Sequence, residues 1–433
     1  MKNYNFYMTG AITLGFSTAI ISLLARWITA NTILSSPEAL IKYGLVGSIG
    51  YSFMGAVALL LFGFISLRIR TSYPDLRTIG DLFEIRLYKD GYYVLSTLVL
   101  FLGLDSLFMQ AIGASVLFEL LLGVPAWISL LVFFLYTFLL AGIGGMKWIH
   151  RLEGPALIFT FSAIIFIPMF FFIGEGATNI YQGIRLLHPY LLFTNNQEAF
   201  YFTATAMLIG FGQMLSDRAT WQRLYMIDLK KVRMSFYLTA LVWSTVPLAL
   251  GGMLMIVIYD QSFTETYSLL FELIKKIKPL LLSVIFFLFC FSTISSTMNA
   301  ELHATTVHFV RNIQQKIRPD MSDKQLHKAS YQFSGFVLLV LLILSLFFNF
   351  DALQFLFFFG TLYAALVPVI LIIVLSKRKI SRLLPYSAPI ATLLVHALPI
   401  AEGPLITIWW SFFISLVISF GSMLFAKREL FSD

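Results

Sequence analysis

The sequence predicts an all-α membrane protein with about twelve transmembrane helices. Three observations carry this prediction. Of the 433 residues, 59% are hydrophobic and 12% are charged, and the mean hydropathy is +0.85. Soluble proteins carry roughly 25% charged residues, so this chain cannot bury its apolar surface in water and still cover itself with polar groups. Second, runs such as Phe336–Phe348 and Ala364–Leu375 are long and almost wholly apolar. An outer-membrane barrel shows short alternating segments instead. Third, polar or Pro/Gly-bearing breaks divide the chain at intervals near the ~20 residues that cross a bilayer core. A soluble enzyme and a disordered chain are excluded.

The expected spans follow in order. Met8–Ser35 comes first and is read as a retained helix, because no small-residue cleavage site follows a short apolar core. Tyr43–Leu67, Tyr92–Leu122, Pro125–Gly144 and Gly154–Ile173 come next. Ala199–Leu215, Met234–Tyr259 and Pro279–His308 continue the series. Ser330–Phe348, Leu353–Ser376, Leu384–Pro399 and Pro404–Phe425 complete it. Ser262–Lys278 reads as a short amphipathic surface helix. Cys290 is the only cysteine and lies in an apolar run, so it carries no redox message.

The charge distribution sets the expected orientation. With alternating loops and an N-terminus in the cytoplasm, 24 of the 30 Lys and Arg fall inside, 5 fall outside, and Arg26 lies within the first span. Lys275, Lys276 and Lys278 are the exception among the outer loops. This bias is the positive-inside pattern. It places both termini in the cytoplasm, the C-terminus beside Lys427 and Arg428. It also assigns the net charge of +8 to topology anchors on anionic lipid rather than to nucleic-acid binding.

Spans one to five start inside and spans six to ten start outside. That division matches an inverted-repeat architecture. The expected boundaries are residues 8–190 for the first repeat and 191–376 for the second, with two additional helices in 377–433.

Two polar clusters interrupt the apolar pattern. The first span becomes polar in its outer half, from Ala25 through Arg26, Thr29, Asn31 and Thr32 to Pro37. Either the helix unwinds there and frees carbonyls and hydroxyls for a ligand, or it ends near Thr29. The eighth span carries Ser292, Thr293, Ser295, Ser296, Thr297 and Asn299. Such hydroxyls bond their own helix or glue helices together. Alternatively they line an oxygen site for a hard cation such as sodium.

Four stretches resemble the sodium:solute symporters, the family of the proline, sodium–glucose and sialic acid carriers. Thr78-Ile79-Gly80-Asp81-Leu82-Phe83-Glu84-Ile85-Arg86 is similar to its T-L-x-E-x-L-E-x-R. Gly144-Gly145 with Glu153 resembles G-G-(x)7-D. Asp217-Arg218-Ala219-Thr220-Trp221-Gln222-Arg223 resembles D-Q-x-x-x-Q-R. Ser292-Thr293 through Asn299 resembles the M-S-T/S-S run. The likeness runs in order from about Ala25 to Arg311.

The resemblance implies a LeuT-like core of ten helices in two inverted five-helix repeats. It implies sodium as coupling ion, held by the carbonyls of Ala25, Ile28 and Phe289 and the hydroxyls of Ser292 and Thr293. Glu153 falls on the family's acid of the fifth helix. Thr29, Asn31, Thr32, Tyr51 and Gln213 fall at or near positions that line its central cavity. Tyr51 and Gln213 are equally suited to packing between helices.

The chain also departs from the family. Only seven residues precede the first core helix, and His308 stands where many members have an aspartate. Arg26 lies beside a proposed sodium ligand, and an arginine in hydrocarbon needs a partner. Asp105, in the middle of the third span, is the expected partner, with Glu153 as another. An Arg26–Asp105 ion pair is the structural expectation. The functional one is a charge that modulates or replaces sodium coupling.

Other signals are set aside. Glu301, His303 and His308 lack the H-E-x-x-H spacing of a zinc site, and no phosphate loop or nucleophile elbow is present. His396 reads as a helix contact. The expected function is sodium-coupled symport of a small polar organic solute by alternating access. The alternatives are a sodium-independent carrier, proton-coupled or facilitative, with Arg26 in the ion's place, and a transporter-like sensor. No enzymatic activity and no nucleic-acid partner are expected. The expected partners are the solute and the lipid bilayer, and the expected unit is a monomer in a bacterial inner membrane.

Overall fold

The structure is a computed structural model and describes residues 3–263, 269–347, 352–398 and 403–424. The first expected span is three pieces rather than one. A short helix, α1 (Tyr4–Thr9), stops at Gly10 in the left-handed conformation, φ 63°. Residues 11–15 then run to α2 (Phe16–Trp27), with Leu14 pairing its backbone with Met226 and Asp228. Ile28 and Thr29 are extended, and α3 (Ala30–Ser72) begins after them. Thr29 caps α3 through a reciprocal box with Thr32, which satisfies free amides at the new helix start. So the first helix breaks at Ile28–Thr29, and Pro37 lies inside α3 rather than ending it. Gly44, φ 69°, kinks α3 and separates the rest of the first span from the second.

The chain continues through α4 (Ile79–Arg86), α5 (Lys89–Leu122), α6 (Ala126–Thr137) and α7 (Met146–Phe171). Next are α8 (Ala177–Leu187), α9 (Gln197–Ser216), α10 (Arg218–Met226) and α11 (Val232–Ile258). Then come α12 (Leu273–Lys276), α13 (Leu280–Val307), α14 (Gln315–Ile317) and α15 (Asp323–Phe347). The last are α16 (Ala352–Leu375), α17 (Ser387–Ala397) and α18 (Pro404–Leu424). Among the described residues, ten helical segments are long and apolar enough to cross a membrane.

Three expectations need correction. The stretch after the sixth span is the helix α10, separated from α9 by an extended Asp217. Its residues are mostly buried, so Arg218 and Arg223 are interior charges rather than loop anchors. Of the expected surface helix Ser262–Lys278, residues 264–268 lie outside the described residues, and the part after them is a 3-10 turn (Leu269–Glu272) leading into the four-residue α12. Leu269, Leu270 and Leu273 are buried against the protein, which removes the exposed apolar face. The eleventh span is the 11-residue α17, about 16 Å long against roughly 30 Å of hydrocarbon. Phe348, Pro399, Phe425, Lys427 and Arg428 lie outside the described residues.

Two groups of helices hold the centre. α3 packs along α9 and α11, while α13 packs along α7 and α5. The half-helices α2 and α10 touch each other and α13. α16 lies on α9, with α17 and α18 outside it. The basic loops gather at one end of the molecule. There Arg311 meets Asp81, Lys316 meets Glu84, and Arg382 meets Asp90.

The Gly44 kink tests this architecture. Its φ of 69° and ψ of −166° suit glycine almost alone, and a Cβ there meets the Leu191 carbonyl oxygen at 2.9 Å. Gly44→Ala should cost about 1–3 kcal/mol of stability. Gly252→Ala, within α11 and open on its side-chain face, should stabilise by up to about 1 kcal/mol. Thermal unfolding in detergent checks both directions.

Candidate functional site

The break in the first helix frees backbone oxygens. The amide of Thr29 turns to Thr32 Oγ1 (3.3 Å) and that of Ala30 to Gln110 Oε1 of α5 (2.9 Å). The carbonyls of Ala25 and Arg26 are thereby left outside the helical ladder. The neighbouring carbonyls are held from other helices. Trp243 Nε1 donates to the Trp27 oxygen (2.7 Å), and Thr297 Oγ1 donates to the Ile28 oxygen (2.9 Å).

The second break faces the first. Asp217 ends α9 and caps α10, with Oδ2 accepting from the Thr220 amide (2.8 Å) and the Thr220 hydroxyl. Trp27 Nε1 donates to Thr220 Oγ1 (2.9 Å). Arg26 Nη2 bridges Asp217 Oδ1 (2.6 Å) and Glu301 Oε2 of α13 (2.7 Å). The other Glu301 oxygen accepts from Arg218, which also bonds the Val99 carbonyl of α5. Two guanidiniums and two carboxylates thus form a buried, charge-balanced clamp. It ties both broken helices to α13 and α5. A charge this deep is tolerated because each has an opposite partner at hydrogen-bond distance.

A second ionic group lies toward the basic end. Glu153 Oε1 accepts from Arg223 Nη2 (2.7 Å) and Ser22 Oγ (2.9 Å), and Oε2 meets His150 Nδ1 (2.7 Å). Arg223 Nε also bonds the Ser22 carbonyl (3.1 Å). This group joins α2, α7 and α10.

The structure corrects the expected pairing of Arg26. Asp105 accepts from Tyr363 Oη of α16 (2.7 Å) and makes no ion pair with Arg26. The reason is local. The second break brings Asp217 up to the end of α2, and α13 presents Glu301, so the charge of Arg26 is already balanced. Glu153 is held by Arg223 instead.

The named solute residues come together. Thr29, Asn31, Thr32, Tyr51 and Gln213 line one chamber with Arg26, Trp27 and Trp243. Its volume is about 30 Å³, room for about two waters, given the 10–15 Å³ that one needs. Tyr51 Oη donates to the Asn31 carbonyl (3.3 Å). The expected sodium hydroxyls face another helix. Ser292 Oγ bonds the carbonyls of Phe289 (3.2 Å) and Ala156 (3.4 Å), and Thr293 Oγ1 meets Thr160 Oγ1 of α7 (3.2 Å). Thr297, one turn further along α13, is the hydroxyl that reaches the broken helix.

Asp217, Arg218, Glu301 and Trp243 have site positions that the sequence reading assigned no role, and Thr297 was read only as one hydroxyl of its cluster. A signal existed for three of them. Asp217, Arg218 and Glu301 are charges beside apolar spans, and interior charges in membrane proteins come in partners.

Breaking the clamp should be costly and non-additive. Glu301→Gln or Arg218→Met alone should each lose about 3–5 kcal/mol, because the partner charge is left buried and uncompensated. The double variant should lose at least about 2 kcal/mol less than the sum. Denaturation of the three variants in detergent measures this coupling, and additive losses would contradict it.

Comparisons with known proteins agree with this architecture. Residues 6–382 match the sodium:solute symporter family. A probable urea active transporter of Schizosaccharomyces pombe is 26% identical over 53% of this chain and 36% of its own. The chain thus matches little more than a third of that relative's length. A sodium/pantothenate symporter of Haemophilus influenzae is 27% identical over 79% of this chain and 72% of its own. A Na+-coupled sialic acid symporter, solved in a substrate-bound outward-open state, superposes with TM-score 0.81 at 11% identity, over 99% of this chain and 94% of that one. MhsT in complex with L-phenylalanine superposes with TM-score 0.62 at 13% identity, over 94% and 97%. These likenesses show a shared LeuT-like fold, and the helix breaks at Ile28–Thr29 and Asp217 fit its two inverted repeats. With the family match spanning most of its length, the chain belongs to the sodium:solute symporter family.

Proposed function

We propose that the protein is a secondary active symporter that couples sodium entry to uptake of a small polar organic solute. The observation that carries this is the meeting of two broken helices at a polar chamber, with the Ala25 and Arg26 carbonyls freed and the Ile28 carbonyl reached by the Thr297 hydroxyl of α13. Such breaks are where transporters of this kind bind ions and solutes. Relatives named for urea and for pantothenate support a small polar solute. The positive-inside bias supports a basic end in the cytoplasm, and we carry forward the repeat boundaries 8–190 and 191–376.

Sodium would bridge α2 and α13. The family likeness supports Ala25, Ile28, Phe289, Ser292 and Thr293 as its ligands. The Thr297–Ile28 contact supports a set one turn along, with the Thr293 carbonyl and the Ser296 and Thr297 hydroxyls. All are neutral oxygens, which suits a hard ion that must bind and leave. A ligand straddling a moving and a fixed helix binds the two states differently, which is what coupling requires. Thr29, Asn31, Thr32, Tyr51 and Gln213 would then contact the solute, and Trp27 and Trp243 would wall it.

A second reading has its own support. Arg26 already holds a positive charge at the break, so a sodium-independent carrier of the same fold is the alternative. A proteoliposome experiment decides. Uptake of urea and of pantothenate is compared with and without an inward sodium gradient. The leading reading expects at least tenfold stimulation by sodium for a transported solute. Equal uptake in sodium-free medium would favour the second.

The ligand register is tested separately. Ser296→Ala/Thr297→Val and Ser292→Ala/Thr293→Ala are compared for sodium-dependent thermal stabilisation. The pair that supplies ligands should lose it, and retention by both would remove α13 from the ion site.

A further inference from the structure

Six acidic side chains are buried among the described residues. Five have cations. Glu38 pairs with Lys42, Asp81 with Arg311, Glu153 with Arg223, Asp217 with Arg26, and Glu301 with Arg26 and Arg218. The sixth, Asp105, has none. It is seventeenth of the 34 residues of α5, at the midpoint of a membrane-length helix, and is 2% exposed. Its partner is the neutral hydroxyl of Tyr363, at 2.7 Å. An ionised carboxylate held by one neutral donor in this setting is costly. A carboxyl that carries its proton is not.

We propose that Asp105 is a proton-binding site, loaded in the conformer described here, whose occupancy sets the balance of the clamp. The charged and titratable groups facing it come from several elements. Tyr363 comes from α16, Arg26 from α2 and Arg218 from α10. Asp217 stands at the α9–α10 break behind Tyr363, and Glu301 on α13 holds Arg218. With the proton on Asp105, two guanidiniums face two carboxylates. When the O–H bond breaks and the proton leaves to water, its electron pair stays on Asp105, and three carboxylates face the same two guanidiniums.

Arg218 is the side chain that responds. It already lies on α5, bonded to the Val99 carbonyl, with Nη2 resting where residue 103 has no side chain. A Cβ at Gly103 would fall 2.4 Å from that nitrogen. An ionised Asp105 competes with Glu301 for Arg218 and loosens the tie of α10 to α13. The site also abuts α9, where a Cβ at Gly212 would fall 2.0 Å from the Tyr363 carbonyl oxygen. Proton release is therefore felt at the helix that ends in the second break. This holds whether the coupling ion is sodium or not.

Infrared spectroscopy of the full-length protein in bilayers tests it without any solute. At pH 7 the wild type should show a protonated-carboxyl C=O band that shifts in D2O and disappears reversibly as pH is raised. Asp105→Asn should lose one carboxyl from that band. Tyr363→Phe retains Asp105 and loses the donor, so its band should move to higher wavenumber. It serves as the independent check should Asp105→Asn fold poorly. An unchanged band in Asp105→Asn, or an unshifted one in Tyr363→Phe, would overturn the proposal. Loss of the band on adding sodium at fixed pH would also overturn it, by assigning Asp105 to a metal cation. Sodium-independent uptake, by contrast, leaves this result untouched.

Discussion

The structure depends on one shared carboxylate. Glu301 offers one oxygen to Arg26 at the end of α2 and the other to Arg218 at the start of α10. Both half-helices begin or end at breaks in mid-protein, where no bilayer water is present to satisfy their ends. The guanidiniums meet the acidic groups there, and Glu301 anchors both to α13. Replacing such a network by apolar residues often leaves stability unchanged or improved, whereas removing one partner is severe. Retaining four charges at this depth therefore points to a use beyond stability, and a joint between moving and fixed helices is that use.

The two half-helices are tied at three further levels. Trp27 bonds Thr220, Arg223 bonds Ser22, and Leu14 pairs with Met226 and Asp228. These contacts run from the breaks to the basic end. α2 and α10 therefore behave as one body, and the clamp is where that body meets α13. The Glu153–Arg223 group adds a second joint, to α7. Opening the basic end requires both joints to yield, so a ligand that stabilises or strains either one controls the motion.

Much of this was legible in the sequence. Apolar runs and breaks marked most of the long helices, and the polar outer half of the first span marked the chamber. Thr29, Asn31, Thr32, Tyr51 and Gln213 meet in space because α3 folds back on itself at Gly44 and brings Tyr51 beside the first break. The helix α10 was not legible: the sixth span ended at Leu215 in the sequence and the charges after it read as a loop, whereas a single extended residue, Asp217, separates two helices. Nor was the partner of Arg26. Asp105 and Glu301 are equally conspicuous as isolated acids, and helix rotation alone decides which one faces α2. Position on α13 posed the same difficulty. Five hydroxyl residues within one and a half turns allow two registers, Ser292–Thr293 and Ser296–Thr297, and one hydrogen bond from Thr297 to Ile28 separates them.

The central claim is that Glu301 holds the α2–α10 body against α13. Spin labels at Leu229, just beyond α10, and at Ile317, at the end of α14, report that separation from exposed positions. Pulsed dipolar spectroscopy in bilayers should give a narrow distance distribution for the wild type. It should give a second, longer population once Glu301 is changed to Gln. A distribution that is the same in both proteins would contradict the account.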